Sequence, residues 1–458
     1  MIIKQQNVDF ADSASIDPIG RVFFFEQKTY RYINKAYENH INEIFSNGLI
    51  SELIAKNLFV DSEISNMVFE DYNILIEHKK LINSTISDWS IDMIYDAAFC
   101  ILSINGICNK YGYELKDAHT YNILFDQNKP KWIDLGSIVK MQSEKNWIAE
   151  KEFYKCLIFP LELYKKNEIY LFKKICQGTH FPSIFTEPIK DLEDTNIFIA
   201  TADYVSINLS LRLKGKSFFS FKFTRSKFLK KRLANLSNRL FFSEKFFPSK
   251  NHLNKILSQL NLKVKDTRWG DYQTYYKAEK EHRFSQVKDL LKEHNIAFTD
   301  ALDIAGNQGF FSQYLLEEGL AKNVINIDYD EEAISKGYQN SKGKSIHFIL
   351  SNPFMEYHTK LLTKRFKSDI VFAMALTHHL ILSQNLEINF IFEVIQKFTN
   401  KYIAIEFMPL GLWDGTQEVE TPEFYTVDWF KDNFEKNFKY LCHKEIAPNR
   451  VLFLGEKL

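Results

Sequence analysis

The second half of the chain alternates short apolar runs with amphipathic stretches, and this pattern restricts the fold more than any other feature. ALDIA (301–305), NVINID (323–328), SIHFIL (345–350), DIVFAMA (369–375) and YIAIEFMP (402–409) each read as a strand. Helical patterns separate them, over 275–296, 310–319, from about 330, and over 386–399. Strands and helices interleaved in this order form a mostly parallel, doubly wound α/β sheet. Ligands of such sheets bind beyond the carboxyl ends of the strands.

The first half reads differently. Residues 17–33 form a hairpin pattern, with Val22–Phe25 and Thr29–Ile33 as β-prone runs around a polar turn. The spacing predicts helices over 36–57, over 88–111 with Asp88 as the cap, and over 147–180. Ile123–Phe125 and Lys131–Ile133 read as two short strands around the turn DQNKP. Residues 212–255 carry thirteen Lys and Arg against the single acid Glu244, with Phe interleaved. A boundary falls there, which gives a domain over 1–210, a basic linker over 211–265 and the α/β domain over 266–458.

Charge narrows the function classes. Lys plus Arg and Asp plus Glu both number 58, so no global electrostatic grip on nucleic acid follows. The basic segment reads as a solvated face or linker. Five cysteines without a C-x-x-C pair argue against a disulfide scaffold or zinc ribbon and suit a reducing cytoplasm. The N-terminus lacks a signal-peptide layout, and no spanning helix is expected from the apolar runs.

The strongest chemical signal follows the first strand of the second half: Asp303-Ile-Ala305-Gly306-Asn307-Gln-Gly309. The small residues let the turn approach a ligand. The next strand ends in Asp328, where a carboxylate can accept from both hydroxyls of a ribose. A phosphate-binding turn offers backbone N–H groups in a G-x-G-x-x-G frame. Here an acid ends the strand instead, and it would repel a phosphate. The pattern suits a cationic, phosphate-free ligand such as S-adenosylmethionine.

On these residues, 299–410 resembles the class I S-adenosylmethionine-dependent methyltransferases. The resemblance implies that Asp303 and the turn through Ala305, Gly306, Asn307 and Gly309 hold the methionine end. It implies that Asp328 holds the ribose, and that Ser351 or Asn352 lies near the adenine. Ala305 and Asn307 stand where the family has glycine. Thr377-His378-His379 after the fourth strand and Glu406 ending the fifth are candidate catalytic bases. Packing for the histidines and a solvated strand end for Glu406 are the plain alternatives. Trp269, Tyr272, Tyr275 and Tyr276 are candidates for an aromatic lid or for core packing.

The first half carries a second signal. Asp117 and Asn122 stand five apart, then a strand pair, then Asp134-Leu-Gly136. That is the spacing of a kinase catalytic loop and metal-binding turn. In that chemistry Asp117 would orient an acceptor hydroxyl, while Asn122 and Asp134 would hold Mg²⁺ against ATP. The glycine-rich loop and V-A-I-K lysine are missing, so Lys28 or Arg31 would have to serve the phosphates, with Glu43 or Glu52 as the helix partner. A degenerate kinase-like α+β scaffold accounts for this pattern better than active phosphoryl transfer.

Both halves together resemble a family of bacterial class I methyltransferases of similar length that includes host-specific nodulation-type proteins. The residues are LKDAHTYNILFDQNKPKWIDLGS, DPIGRVF at 17–23, FPL at 159–161, WGDY at 269–272 and ALTHHL at 375–380. The resemblance implies a methyltransferase with a kinase-like N-terminal domain and does not imply a substrate; our own expectation is a cytoplasmic protein acting on a small-molecule or glycan-type acceptor. A bifunctional kinase-methyltransferase, an RNA methyltransferase and a scaffold with a dead cofactor pocket remain as alternatives. The acceptor atom and the oligomeric state are open.

Overall fold

The computed structural model describes residues 2–11, 17–143, 147–169, 172–173, 176, 250–270, 277–413 and 420–458. The basic stretch up to 249, and with it most of the predicted linker, lies outside them, as do Tyr272, Tyr275 and Tyr276.

The N-terminal half opens with an antiparallel sheet. Its strands are β1 (Asp9–Phe10), β2 (Gly20–Phe25), β3 (Lys28–Ile33), β4 (Ser62–Ile64) and β5 (Ile74–His78), in spatial order β1-β2-β3-β5-β4. Two helices, α1 (Glu38–Ser46) and α2 (Leu49–Ala55), fall between β3 and β4. The sequence predicts one helix over 36–57. Gly48, at φ +91°, breaks it in two. The long helix α3 (Ile91–Lys110) is apolar on most of its surface because it lies inside the core. It is long and apolar enough to cross a membrane, contrary to the sequence expectation, but most of it is buried inside the protein. Asp88 does not cap it. Ser90 takes that position, and Asp88 closes a capping box with Thr85 one turn earlier. The hairpin β6 (Ile123–Asp126) and β7 (Lys129–Trp132) turns at Gln127 and Asn128, both at positive φ. Such a turn matches the twist of paired strands.

Helix α4 (Lys250–Ser258) falls in the predicted linker, yet its Leu253, Ile256 and Leu257 belong to the N-terminal core. Helix α5 (Lys277–Glu293) then leads into the predicted sheet. The sheet is β8 (Asp300–Ile304), β9 (Asn323–Asp328), β10 (Ile346–Leu350), β11 (Ser368–Ala373), β12 (Thr399–Phe407), β13 (Phe438–Ala447) and β14 (Arg450–Lys457). The intervening helices are α6 (Phe310–Glu317), α7 (Glu331–Asn340), α8 (Glu356–Arg365), α9 (Ile388–Phe398) and α10 (Val427–Asn437). The spatial order is β10-β9-β8-β11-β12-β14-β13. The first five strands run parallel, and β14 enters antiparallel against β12. The order reverses at β8, so the ligand crevice lies between the ends of β8 and β11.

Alternate residues of the central strands serve opposite layers, as a two-period strand requires. Leu302, Ile327, Val371 and Ile403 face α8, α9 and α10, whereas Ala301, Val324, Ile370 and Ala404 face α5 and α6. A third surface joins the halves. Ile334, Tyr338, Ile346 and Phe348 lie in the same apolar cluster as α3 and the β6–β7 hairpin. Polar bonds frame this joint. Tyr338 Oη donates to Asp96 Oδ2 (2.7 Å), Arg365 pairs with Asp88, and Asn128 Nδ2 donates to the Ser341 carbonyl (2.8 Å).

Candidate functional site

The turn after β8 is shaped by what it must avoid. Ala305, Asn307 and Gly309 all adopt positive φ, at +58°, +53° and +75°. Gly306 is fixed by space rather than by angle. A Cβ there would lie 2.6 Å from Asp303 Oδ2 and would also strike Asn326. This close approach brings a buried polar chain together. Asn326 Nδ2 donates to Ser312 Oγ (3.2 Å), and Ser312 Oγ donates to Asp303 Oδ2 (2.9 Å). Asp328 sits beside it, accepting from the Asn307 N–H (2.8 Å) and the Asp330 N–H (2.9 Å).

Among the described residues, three buried oxygens around this turn lack a hydrogen-bond partner: Asp303 Oδ1, Asn307 Oδ1 and Asn326 Oδ1. All are acceptors. Burial raises the Asp303 carboxyl to about 7, with Asp328 adding to the shift and Ser312 and Arg283 opposing it. Burial likewise raises Asp328 to about 6, against the backbone N–H groups that hold its anion. Two adjacent acids held this far up are short of a cation or of donors.

The segment 267–270 lies across the turn. Asn307 Nδ2 donates to the Trp269 carbonyl (3.0 Å) and Gln308 Nε2 to the Gly270 carbonyl (2.5 Å). Thr267 anchors it to Asp330 (2.8 Å) and Glu332 at the start of α7. The Trp269 ring meets His379 edge-on, with centroids 5.1 Å apart. The predicted cofactor turn and the predicted histidine loop are thus neighbours.

The histidines differ. His378 is buried, and desolvation lowers it to about 3, with His379 and Arg450 adding. His379 is partly exposed and is lowered by burial and by Arg268. Both are neutral at pH 7, and His379 is the one open enough to exchange a proton. Glu406 is wholly buried. Its Oε2 accepts from the Ala375 N–H (2.5 Å) and Arg450 Nη1 (3.2 Å), and its Oε1 lies 3.6 Å from Arg283 Nη1. A strand-end acid in solvent, the plain alternative in the sequence, does not describe it. Neither does an open base, because two guanidinium groups and a backbone N–H already occupy its carboxylate.

Ser351 and Asn352 follow β10. The Ser351 N–H donates to the Asp328 carbonyl (2.8 Å), which places it at the same strand ends. The Asn352 side chain accepts from the Phe354 N–H (3.0 Å), within its own turn. Sequence reasoning missed Ser312, Asn326, Arg283 and the exposed Tyr329 next to Asp328. Tyr329 had a local signal in its position directly after the acid. Arg283 and Ser312 had none.

In the N-terminal half, Ile133 N–H donates to the Asn122 carbonyl (3.0 Å) and Asp117 N–H to Ser137 Oγ (3.2 Å), so both flank the Asp134 turn. Arg31 lies on Asp134 at 3.3 Å and also pairs with Asp17. Burial raises Asp134 while Arg31 opposes the shift. The expected helix partners are engaged elsewhere: Glu43 with Lys140, Glu52 with Tyr111 (2.9 Å). Lys28 pairs with Glu77 (2.6 Å) on the neighbouring strand β5. Among the described residues no cluster of three or more His, Cys, Asp or Glu side chains is arranged to hold a metal ion.

No family model matches the chain. It is 24% identical to the nodulation protein NoeA of Rhizobium meliloti (strain 1021), over 96% of this chain and 93% of NoeA. Solved structures resemble part of it. The N-methyltransferase NodS of Bradyrhizobium japonicum WM9 is 13% identical over 41% of this chain and 98% of its own, with a TM-score of 0.30. An S-adenosylmethionine-dependent methyltransferase from Clostridium acetobutylicum is 14% identical over 41% and 95%, with a TM-score of 0.31.

Proposed function

We propose that the C-terminal half is an S-adenosylmethionine-dependent methyltransferase. One observation carries the reading: the orphaned acceptors Asp303 Oδ1, Asn307 Oδ1 and Asn326 Oδ1 cluster at the turn where the sheet order reverses. Buried polar atoms need partners. A ligand that satisfies these must bring N–H, O–H or cationic groups, and a pyrophosphate brings none. Asp303 would take the ligand's ammonium and Asp328 its ribose hydroxyls. Ser351 and Tyr329 would border the adenine. S-adenosylmethionine supplies a methyl group on a sulfonium, ready for direct displacement by a nucleophile.

The chain's own residues would then act by position and by exclusion. The 267–270 segment, bonded across the turn through Trp269 and Gly270, would exclude water from the crevice. The loop held by Glu406 would align the acceptor, and alignment supplies most of the rate in such a reaction. Where the acceptor loses a proton, a ring nitrogen of His379 would hold it. His378 would pack. The acceptor class we favour is a small molecule or glycan-type compound, in a cytoplasmic protein.

We read the N-terminal half as a kinase-like scaffold rather than a phosphoryl-transfer enzyme. The strand pair before the Asp134 turn and the helices following β3 support the likeness. The Arg31 guanidinium on Asp134 speaks against a magnesium ion there, because it supplies the positive charge a metal would bring.

The deciding experiment is calorimetric titration with S-adenosylhomocysteine, wild type beside Asp328→Ala. Micromolar binding lost in the variant is the expected result. No binding by the wild type would sink the reading.

A further inference from the structure

We infer that the cleft between α3, α7 and residues 264–266 is a second ligand site, built for a small organic cation that carries two ammonium groups. No step of the proposed methyl transfer uses this cleft, and the site does not depend on that reading.

The cleft measures about 400 Å³. Small-molecule sites span about 300–1,000 Å³. Glu332, Ser335, Lys336 and Gln339 stand three, four and seven positions along α7 from the first of them, so they share the face that lines it. Asp92, in the first turn of α3, closes it from the N-terminal half. Val264 and Asp266 close it from the chain that leads into the 267–270 segment. Val264 is the one apolar side chain in the lining, so the fitting ligand is polar.

Charge sets the sign of that ligand. Three carboxylates, Asp92, Asp266 and Glu332, face one ammonium, Lys336, which is 2.7 Å from Glu332. Lys265 lies beside Asp266 in sequence but does not line the cleft. Acids in the first turn of a helix complement its dipole, and that alone accounts for Asp92 and Glu332. It does not account for Ser335. This serine is 2% exposed, lines the cleft, and its hydroxyl has no hydrogen-bond partner. A buried hydroxyl needs one. Burial raises the Asp92 carboxyl, and Ser335 and Gln339 oppose the shift, so Ser335 stands near Asp92 without reaching hydrogen-bond geometry. An ammonium carries three donors and no acceptor. Placed among these groups, it would donate to Asp92, to Ser335 Oγ and to the Gln339 amide oxygen. A second ammonium would pair with the exposed Asp266 at the rim. A metal ion fits less well, because among the described residues no three His, Cys, Asp or Glu side chains are arranged to hold one.

Occupancy of the cleft reaches the crevice. Glu332 accepts from the Thr267 N–H and from Thr267 Oγ1 (3.1 Å), and the Gly270 N–H donates to Thr267 Oγ1 (3.0 Å). A cation on Asp266 would fix the residue next to this anchor, and with it the segment bonded to Asn307 and Gln308. Coupling between two sites is reciprocal, so the diamine and the cofactor would each tighten the binding of the other. This coupling, unlike the site, rests on the methyltransferase reading.

The test is calorimetry on the full-length protein at physiological ionic strength, with the diamine putrescine, the monoamine butylamine and magnesium chloride as probes. The wild type is expected to bind putrescine at least tenfold tighter than butylamine. Asp92→Asn should weaken putrescine at least fivefold, and Ser335→Ala about threefold. Asp266→Asn changes only an exposed side chain, so its expected fivefold loss cannot come from misfolding. Glu435→Gln, on α10 at the other end of the sheet, should leave putrescine binding unchanged. No putrescine binding, equal binding of butylamine, tighter binding of magnesium, or binding indifferent to both Asp92→Asn and Asp266→Asn overturns the inference. Saturating S-adenosylhomocysteine should tighten putrescine at least twofold, and an unchanged affinity overturns the coupling. Putrescine binding in a wild type that binds no S-adenosylhomocysteine would sink the methyltransferase reading and leave the site standing.

Discussion

Ser312 Oγ donates to Asp303 Oδ2 at 2.9 Å and leaves the other carboxylate oxygen of Asp303 buried without a partner. The strand end is therefore half satisfied in the free protein. A group in that state costs stability and favours a ligand.

The first prediction follows from the sign of that cost. The folded carboxyl titrates near 7 against an ordinary value of 3.8. Between these values the folded chain holds a proton that the unfolded chain has released, so stability falls as pH rises from about 4 to about 7. Asp303→Asn keeps the Ser312 bond and removes the charge. In urea unfolding near pH 8 it should be more stable than wild type by about 2–4 kcal/mol, since each pKa unit is worth about 1.4 kcal/mol. Near pH 4 the gain should vanish. It should also bind S-adenosylhomocysteine at least tenfold more weakly. Equal stability at both pH values would contradict the account.

The same shifts set the pH dependence of binding. Asp328 titrates near 6 and Asp303 near 7, and both are expected to serve a cation or hydroxyl donors as anions. Affinity for S-adenosylhomocysteine should therefore rise from pH 5.5 to pH 7.5 and then level. Calorimetry in buffers of different ionisation heat should register proton release on binding in that window. A flat profile would remove the role given to the two acids.

Backbone conformation gives a third prediction. Ala305 holds φ +58°, which costs an L residue about 1 kcal/mol and glycine little. Ala305→Gly should be neutral or stabilising and should keep ligand binding. Gly306→Ala should behave oppositely. Its new Cβ would press on Asp303 and Asn326, with an expected loss of about 1–3 kcal/mol by thermal unfolding and loss of ligand binding. If both variants behaved alike, the turn would not be organised as described.

These residues also mark how far the sequence could be read. The strands, the turn 303–309 and Asp328 were legible because each is written in consecutive residues: an apolar run, small residues, then an acid. Helix α8 (EYHTKLLTKR) is short and largely polar, and it escaped the pattern. So did α10 and the β13–β14 hairpin, whose antiparallel entry follows from no local signal. At the site, Glu406 could be named but not understood. Its partners Arg283 and Arg450 come from distant parts of the chain and meet only when β12, β14 and α5 assemble. The Arg31–Asp134 pair is separated by 103 residues and was equally hidden, although each residue had been singled out.

That pair yields a fourth prediction. With Arg31 on Asp134, magnesium and ATP together should not shift the melting temperature of the wild type, and no ATP turnover should appear. A magnesium-dependent turnover abolished by Asp134→Ala would instead establish the bifunctional alternative. Arg31→Met should destabilise the protein by about 2 kcal/mol or more, because it leaves Asp17 and the buried Asp134 facing each other without a cation.

The joint between the halves supports the last prediction. Ile334, Tyr338, Ile346 and Phe348 are nearly or wholly inaccessible and pack in one apolar cluster with α3 and the β6–β7 hairpin. A fragment starting at 266 would expose all four on one face, a patch large enough to drive association. It should aggregate or bind a hydrophobic dye, where the full chain does neither. A milder change tests the same joint in the intact protein. Asp96 accepts from Tyr338 Oη (2.7 Å) and Lys342 Nζ (2.5 Å). Asp96→Ala strands the buried Tyr338 hydroxyl on α7 and the Lys342 ammonium just beyond it, with an expected cost of about 2–4 kcal/mol. Helix α7 also anchors the 267–270 segment through Asp330 and Glu332, so loosening its far end should weaken S-adenosylhomocysteine binding as well. Lower stability with unchanged affinity would mean that the N-terminal half supports the fold of its neighbour but not its crevice.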